Sequence, residues 1–134
     1  MIIWLHMWMK MTASKLISYA HIEIALDAMR TWGFKYTQLI TWVKRWKSGK
    51  LQIGMGHHYR HAAEQCLFGV RGKIKAGSHS LPAVFDAPRT THSTKPDLLL
   101  AMAEMMSPMP RLEMFARRRR EGWTAYGDQL EVIG

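Results

Sequence analysis

The side chains best suited to chemistry lie towards the C-terminus, in two polar loops that flank a predicted helix and strand. The first loop, residues 91–95, ends in Lys95. The second follows the strand residue Glu113 and contains Arg117, the first of four consecutive arginines. In open α/β sheets, ligands bind outside the carboxyl ends of the strands. Both loops are therefore predicted to border one ligand site, although spacing alone does not define the ligand.

Local sequence signals indicate how these loops are held. Thr94 and Asp97 have the spacing of a capping box and Pro96 suits a first helical turn, which predicts a helix over 97–106. A Ser-Pro pair then ends the helix. The mostly apolar residues 111–116 predict a buried strand that closes at the arginine run.

Hydrophobic periodicity predicts the elements upstream. Apolar runs bounded by turn residues predict a helix over 14–32, a short helical turn over 57–65, and strands over 2–9, 34–44, 66–70 and 81–87. A parallel crossover through the helix is the simplest connection between the strands over 2–9 and 34–44. These elements predict an α/β fold. Residues 122–127 contain glycine-aromatic pairs, which are expected only to turn and pack.

Composition limits the class of protein. With 134 residues, the chain is predicted to be a single domain, 1–134, that can bury a core but is small for a complete doubly wound cofactor-binding fold. Its net charge of +9 favours polyanionic partners, nucleic acid before membrane. The apolar segment 1–9 is much shorter than the roughly 20 residues that span a bilayer. The single cysteine, Cys66, fits a reducing compartment and predicts a cytoplasmic protein.

Two basic segments could contact a nucleic-acid backbone. Residues 45–56 contain three glycines and predict a mobile loop, and the arginine run forms the second segment. The candidate nucleic-acid-binding residues are Arg45, Lys47, Lys50, Arg118, Arg119 and Arg120. A solvated surface explains each segment about equally well, so both interpretations stay open.

Histidines near the single cysteine raise the question of a metal site. His57, His61 and Cys66 do not form a standard zinc spacing, and the sequence has no second cysteine. No metal site is therefore predicted.

Several motifs occur together and in order over residues 22–131. They are Ala28-Met-Arg-Thr-Trp-Gly33-Phe, Thr41-Trp42-Val-Lys44, Gly54-Met-Gly56 through Glu64-Gln-Cys66-Leu-Phe-Gly69-Val-Arg-Gly72, His92-Ser-Thr-Lys95-Pro96-Asp97, Leu112-Glu113-Met-Phe-Ala-Arg117, Gly122-Trp123 and Gly127-Asp128-Gln129-Leu130. Together they resemble the C-terminal half of the N6-adenine (mRNA adenosine) methyltransferase family. An ordered set of this kind is far more specific than one isolated motif.

The resemblance implies a partial Rossmann-like, S-adenosylmethionine-dependent methyltransferase fold. By motif, the cofactor-binding residues would be Lys95, Glu113, Arg117, Asp128 and Gln129. Lys95 and Arg117 would neutralise and orient the cofactor, Glu113 would end the strand beside it, and Asp128 with Gln129 would reach the ribose. In the family, the glutamate that matches Glu64 lies near the adenine, which implies a substrate pocket with Glu64 and Lys95. Without the resemblance, Glu64 would simply pair with Arg60 at a helical spacing.

The sequence departs from the family in three respects. The family often has asparagine where Asp128 stands, and Arg118 to Arg120 replace a more varied segment. Moreover, the Asp-Pro-Pro-Trp motif that binds the adenine amine does not occur in these 134 residues. Because this motif precedes the cofactor-binding strand in the family, the chain is expected to begin after it.

Three interpretations follow for the function. The chain is the C-terminal part of an adenine methyltransferase, or a catalytically silent nucleic-acid-binding subunit beside an active homologue, or a small basic nucleic-acid-binding module with an inherited fold. Either DNA or RNA fits as the partner, together with a homologous subunit or a separate N-terminal half. An upstream reading frame that encodes Asp-Pro-Pro-Trp would select the first interpretation, and an intact homologue encoded nearby would favour the second.

Overall fold

The computed structural model describes residues 3–6, 11–17, 21–73, 77–88, 96–128 and 130, with side chains from His21 onward. Seven strands and two helices follow one another within these residues. In chain order they are β1 (Ile3–His6), β2 (Met11–Ile17), α1 (Ile22–Thr31), β3 (Lys35–Arg45), β4 (Ala63–Arg71), β5 (Val84–Pro88), α2 (Asp97–Met106), β6 (Arg111–Met114) and β7 (Trp123–Tyr126).

The strands form one mixed sheet in the order β5-β3-β4-β2-β1-β6-β7. The outer pairs, β3 with β5 and β6 with β7, are parallel, whereas the pairs between them are antiparallel. It follows from these directions that β3, β5, β6 and β7 all end at the same edge of the sheet, which we call the carboxyl edge. The chain is thus a mixed α/β protein.

Each face of the sheet is covered by one helix. On one face, Ala25 and Met29 of α1 pack against Phe34 and Leu67. The Cβ of any residue other than glycine at position 69 would overlap the terminal methyl of Met29, so the helix packs closely on β4. This layer is built around residues that a helical spacing of three and four brings to one side of α1.

On the other face, α2 buries an apolar cluster against β3, β4 and β5. Its buried members are Trp42, Cys66, Phe85, Leu99, Leu100 and Met102, and Trp123 of β7 packs against them. Cys66 and Leu67 are neighbours in β4 but belong to clusters on opposite faces, as the alternation of side chains along a strand requires. Neither described helix is long and apolar enough to cross a membrane.

The structure corrects the first part of the sequence prediction. Residues 11–17 form the strand β2, so the helix predicted over 14–32 begins only at Ile22. The apolar stripe of α1 that packs on the sheet consists of Ile22, Ala25, Leu26 and Met29, whereas Ile24 is exposed. The parallel crossover is also wrong, because β1 pairs antiparallel with β2 and β6, and β3 lies between β4 and β5.

Further differences concern 57–65 and the C-terminal segment. No helical turn forms over 57–65, because bonds between backbone groups across this segment, such as Gly54 N–H to His61 O at 2.6 Å, favour an irregular hairpin that leads into β4. Residues 123–126 form β7, which was expected only to turn. The helix over 97–106 is confirmed, as are the strands near 34–44, 66–70, 81–87 and 111–116, with shifted ends.

Candidate functional site

The ends of β6 and β7 approach each other closely at the carboxyl edge. Phe115 adopts a left-handed conformation with φ of 61°, which turns the chain directly after β6. The Ala116 N–H then donates to the Tyr126 carbonyl at 3.0 Å. A Cβ at Gly127 would overlap the Ala116 carbonyl oxygen, so a glycine is needed where the two loops meet. Arg117 and Asp128, which follow these residues, therefore lie near each other and are exposed.

Glu113 lies just below this edge and is only 7% exposed. Burial raises the pKa of its carboxyl group, because ionisation is disfavoured away from water, while the charges of Arg118 and Arg120 oppose this increase. The structure thus places three of the predicted cofactor-binding residues, Glu113, Arg117 and Asp128, at the end of one parallel strand pair. Lys95 and Gln129 lie outside the described residues.

The arginine run divides into two pairs. Arg118 forms an ion pair with Asp97 at the start of α2, and Arg120 lies 3.6 Å from the same carboxylate. Arg120 Nε also donates to Glu104 Oε1 at 2.7 Å. Arg117 and Arg119 are exposed, as is Arg118 with 56% of its side chain, whereas the Arg120 side chain is 29% exposed. Arginines at alternate positions therefore face the helix.

Glu104 was not predicted as a functional residue. Its Oε1 also accepts a hydrogen bond from Trp123 Nε1 at 2.7 Å. The hydrogen bond from Arg120 lowers the pKa of Glu104, and the bond from Trp123 acts in the same direction. One signal was available in the sequence: Asp97 and Glu104 are the charged residues of α2 and are seven apart, a spacing that puts them on one side of a helix.

Glu64 occupies a second position on the α2 face of the sheet. Its Oε1 accepts from Lys44 Nζ at 2.6 Å, with both side chains about one-fifth exposed at 20% and 21%. Lys44 Nζ also lies 5.5 Å from the centre of the Trp42 ring. Trp42 is itself fixed, since its Nε1 donates to the Ala87 carbonyl at 3.0 Å. Glu64 is thus held as a carboxylate beside a cation and an aromatic ring.

Glu64 and Glu113 lie well apart on the sheet. In the strand register, Glu113 is level with Phe68 of β4, through β1 and β2, whereas Glu64 lies four residues earlier in β4. Strand spacing of about 4.8 Å and a rise of about 3.3 Å per residue then put the two Cα atoms roughly 20 Å apart. A ligand would therefore have to be extended to contact both residues.

The β3–β4 connection, residues 46–62, carries the other predicted cations. It has internal backbone bonds, including Trp46 N–H to Lys50 O and Gly49 N–H to Trp46 O, both 2.9 Å, in a segment expected to be a mobile loop. Lys47 and Lys50 are exposed. Arg45, at the end of β3, pairs with Asp86 at 3.1 Å.

Exposed apolar side chains accompany these cations. Trp46 is 55% exposed and Tyr59 is 89% exposed. The sequence from 45 to 62 has no acidic residue. Cations beside exposed aromatic rings are suited to the phosphates and bases of single-stranded nucleic acid.

Among the described residues, histidine, cysteine and acidic side chains form no group of three or more that could hold a metal ion. The Cys66 thiol forms no disulfide and is buried beneath α2.

Cations and carboxylates at the ends of adjacent parallel strands are typical of ligand sites in α/β proteins. The MT-A70 family model matches residues 5–129. The chain therefore belongs to the MT-A70 family, and its resemblance to N6-adenine methyltransferases is confirmed.

Individual relatives agree with this membership. The N(6)-adenosine-methyltransferase MT-A70-like protein of Arabidopsis thaliana is 33% identical over 117 residues, which cover 84% of this chain and 17% of the relative. A probable N(6)-adenosine-methyltransferase MT-A70-like protein of Oryza sativa has the same identity and coverage. An N6-methyladenosine RNA methyltransferase of Cryphonectria parasitica is 31% identical over 104 residues, or 74% of this chain and 30% of the relative. The chain thus spans less than a third of the length of these relatives.

Proposed function

We propose that this chain is the cofactor-binding part of an S-adenosylmethionine-dependent N6-adenine methyltransferase that acts on nucleic acid, and that its sheet is part of a Rossmann-like fold. The observation that supports this proposal best is the position of Glu113, Arg117 and Asp128 at the end of the parallel β6–β7 pair. Each belongs to a motif of the family, and the end of a parallel strand pair is where α/β proteins bind ligands.

The residues present fit the cofactor. Arg117 and Lys95 would bind its carboxylate, since charged hydrogen bonds to carboxylates are among the strongest in proteins. The Asp128 carboxylate would accept hydrogen bonds from the ribose hydroxyls, and the Gln129 amide would donate to them. Burial of Glu113 is costly unless a positive group lies nearby, and the cofactor carries an ammonium and a sulfonium. When bound, S-adenosylmethionine supplies an electrophilic methyl group.

The remaining catalytic groups would come from elsewhere. Selective attack by the adenine amine requires acceptors that hold it, and the sequence of this chain contains no Asp-Pro-Pro-Trp. We propose that a further segment or a homologous subunit provides this motif. Glu64, held by Lys44, and Lys95 would then contribute to the adenine side of the joint pocket. The same proposal includes DNA or RNA as the substrate. It also includes a cytoplasmic location, which the single buried thiol suggests.

A second function is supported by the β3–β4 connection. Its exposed cations and aromatic rings suit a nucleic-acid-binding module or a catalytically silent subunit, with Arg45, Lys47 and Lys50 on this surface and Arg118, Arg119 and Arg120 at the other basic segment. Such a protein would bind nucleic acid whether or not it bound the cofactor.

Calorimetry with S-adenosylmethionine tests the proposed site. Arg117→Ala and Lys95→Ala should each weaken binding by roughly ten- to hundredfold, because each removes a charged hydrogen bond. Arg30→Ala is the matched control, since Arg30 is exposed on α1 and pairs with Asp27. Equal affinities for all variants would refute the assigned residues.

Radiolabelled methyl transfer separates the two functions. The chain should transfer methyl groups to adenine-containing DNA or RNA only when a segment that bears Asp-Pro-Pro-Trp is supplied. Transfer by the purified chain alone would contradict the need for an added motif. Nucleic-acid binding with no cofactor binding would select the second function.

A further inference from the structure

We propose that Glu104 is a positioning residue that fixes the β6–β7 loop, residues 115–122, and thereby sets the shape of the adjacent ligand site. The functional consequence rests on the proposed function, whereas the positioning can be tested without the cofactor. Glu104 belongs to no motif on which the resemblance was based.

The Glu104 carboxylate contacts two donors, one before and one after the turn into β7. Glu104 Oε1 accepts from Arg120 Nε and from Trp123 Nε1, each at 2.7 Å. These two donors stand on either side of Glu121 and Gly122, where the loop turns into β7. One oxygen atom of α2 therefore holds both sides of this turn. The side chains of Glu104 and Arg120 are about 30% exposed, so the pair is partly shielded from water.

Arg111 of β6 holds the C-terminal end of α2 in place. Arg111 Nε donates to the Ser107 carbonyl at 2.8 Å, and Arg111 Nη2 donates to the Glu104 carbonyl at 3.0 Å. Glu104 is in the last turn of α2 and Ser107 is its C-cap, where carbonyl groups have no partner within the helix. The Arg111 guanidinium also lies 5.8 Å from the centre of the Trp123 ring. Glu104 is thus held at a fixed height above β6 and β7.

Arg120 connects the contact at Glu104 to the proposed ligand site. Arg120 also lies near Asp97, seven residues before Glu104 and on the same side of α2. With Arg118, it opposes the burial effect on Glu113. The two α2 carboxylates hold these arginines near the buried carboxyl group. If Arg120 were released, the loop that presents Arg117 would lose its partly shielded contact with the helix and would keep the exposed ion pair between Arg118 and Asp97.

The arginines of this loop differ in how closely the helix holds them. Arg118 and Arg120 pair with carboxylates of α2, but the Arg118 side chain is 56% exposed and that of Arg120 is 29% exposed. Arg117 and Arg119 are exposed as well. Arg120 is therefore the arginine of the run that is held most closely by the helix. Electrostatic contacts of this loop with nucleic acid should depend more on Arg118 and Arg119 than on Arg120.

The variant Glu104→Gln tests the inference with little structural change. Its amide oxygen can still accept from Trp123, but the negative charge that Arg120 requires is lost. Glu23→Gln is the matched control, because Glu23 is an exposed residue in the first turn of the other helix. Hydrogen exchange measured by mass spectrometry should become faster over 115–122 in Glu104→Gln alone, with no change over 46–62.

Cofactor affinity provides the second readout. Calorimetry should show a loss of roughly tenfold for Glu104→Gln, measured well below the unfolding temperature, and no loss for Glu23→Gln. Arg120→Gln should produce at least the same loss, because Arg120 also lies near Asp97. The double variant should lose no more than Arg120→Gln alone, since both changes remove the contact between Arg120 and Glu104.

The outcomes separate the two proposals. Unchanged exchange over 115–122 would overturn the positioning role of Glu104, whatever the cofactor affinity. Faster exchange with unchanged cofactor affinity would overturn the link between the loop and the site. Absence of cofactor binding by the wild type would refute the proposed function, while the exchange result would still decide the role of Glu104.

Discussion

The β6–β7 loop and the β3–β4 connection are both rich in cations, yet they use them differently. In the first, Arg118 and Arg120 pair with the carboxylates of α2. In the second, residues 46–62 include no acidic residue, and backbone bonds within the segment maintain its shape. The first region differs because Asp97 and Glu104 of α2 supply carboxylates to its arginines. A basic run in a sequence therefore indicates a binding surface only where no neighbouring element supplies carboxylates.

Two glycines in these regions differ in how much room surrounds them. There is no room for a side chain at Gly127, at the β6–β7 end, whereas no atom lies within 4 Å of a Cβ placed at Gly49 in the β3–β4 connection. The openness at Gly49 is local, because a Cβ at Gly56 in the same connection would overlap the Tyr59 carbonyl oxygen.

The largest expected effect follows from this contrast in packing. Gly127→Ala should destabilise the protein by about 3 kcal/mol, because the new methyl group overlaps the Ala116 backbone, which cannot move without separating β6 from β7. Gly49→Ala should cost only about 1 kcal/mol, for the left-handed backbone at φ of 82°. Chemical denaturation measures both. Equal losses of stability in the two variants would show that the surroundings of Gly127 and Gly49 are packed alike.

A smaller effect concerns the pH dependence of stability, for which Glu104 and Glu113 should behave in opposite ways. The pKa of Glu104 is lowered from 4.5 in the folded state, so its contribution is present above pH 4.5 and is lost as the pH falls through the lowered value. The pKa of Glu113 is raised from 4.5, so stability falls as the pH rises from 4.5 through the raised value.

Chemical denaturation of Glu104→Gln and Glu113→Gln measures this difference in pH dependence. The range from pH 3 to pH 7, about four units, includes the ordinary pKa of a carboxyl group. At neutral pH, Glu104→Gln should be about 1 to 2 kcal/mol less stable than the wild type, and this deficit should shrink in acid. Glu113→Gln should be about 1 kcal/mol more stable at neutral pH, and this gain should disappear in acid. Parallel pH profiles for both variants would contradict the assigned environments.

The smallest effect concerns nucleic-acid binding by the β3–β4 connection. A variant with both Lys47→Ala and Lys50→Ala should bind a single-stranded oligonucleotide a few-fold more weakly. The slope of log affinity against log salt should fall by about 1.4, because two phosphate contacts are lost.

The matched control carries Lys35→Ala and Lys73→Ala, which change the net charge equally. Lys35 begins β3 and Lys73 follows β4, so both lie at the opposite edge of the sheet and are exposed. The same change in slope for both double variants would indicate general electrostatics and no defined surface.

Much of the fold could be predicted where pattern and local signals agreed. The segment 97–106 has a proline before it and a Ser-Pro pair after it, and it forms a helix as expected. The prediction over 14–32 failed because β2 and α1 adjoin with apolar residues in both. Pairing of β2 with β4, a contact distant in the sequence, decides where the strand ends and the helix begins. The strand β7 escaped prediction for a similar reason, since it exists by pairing with β6.

The candidate site depended more on motifs than on periodicity. Family motifs indicated Glu113, Arg117 and Asp128, which the structure places together. The partner of Glu64 was not predicted, because a helical spacing suggested Arg60, whereas the strand register brings Lys44 to it at 2.6 Å. The role of Glu104 required knowledge of which element packs beside the arginine run. Only the three-dimensional structure supplies that information.

The most direct test of the account is a titration of the isotope-labelled chain with S-adenosylmethionine, followed by amide chemical shifts in NMR spectra. We predict that the shift changes are largest for residues 113–117 and 125–128, at the ends of β6 and β7, and that the shifts of residues 46–62 do not change. Changes confined to 46–62, or no changes at any cofactor concentration, would contradict the claim that the β6–β7 end is the cofactor site.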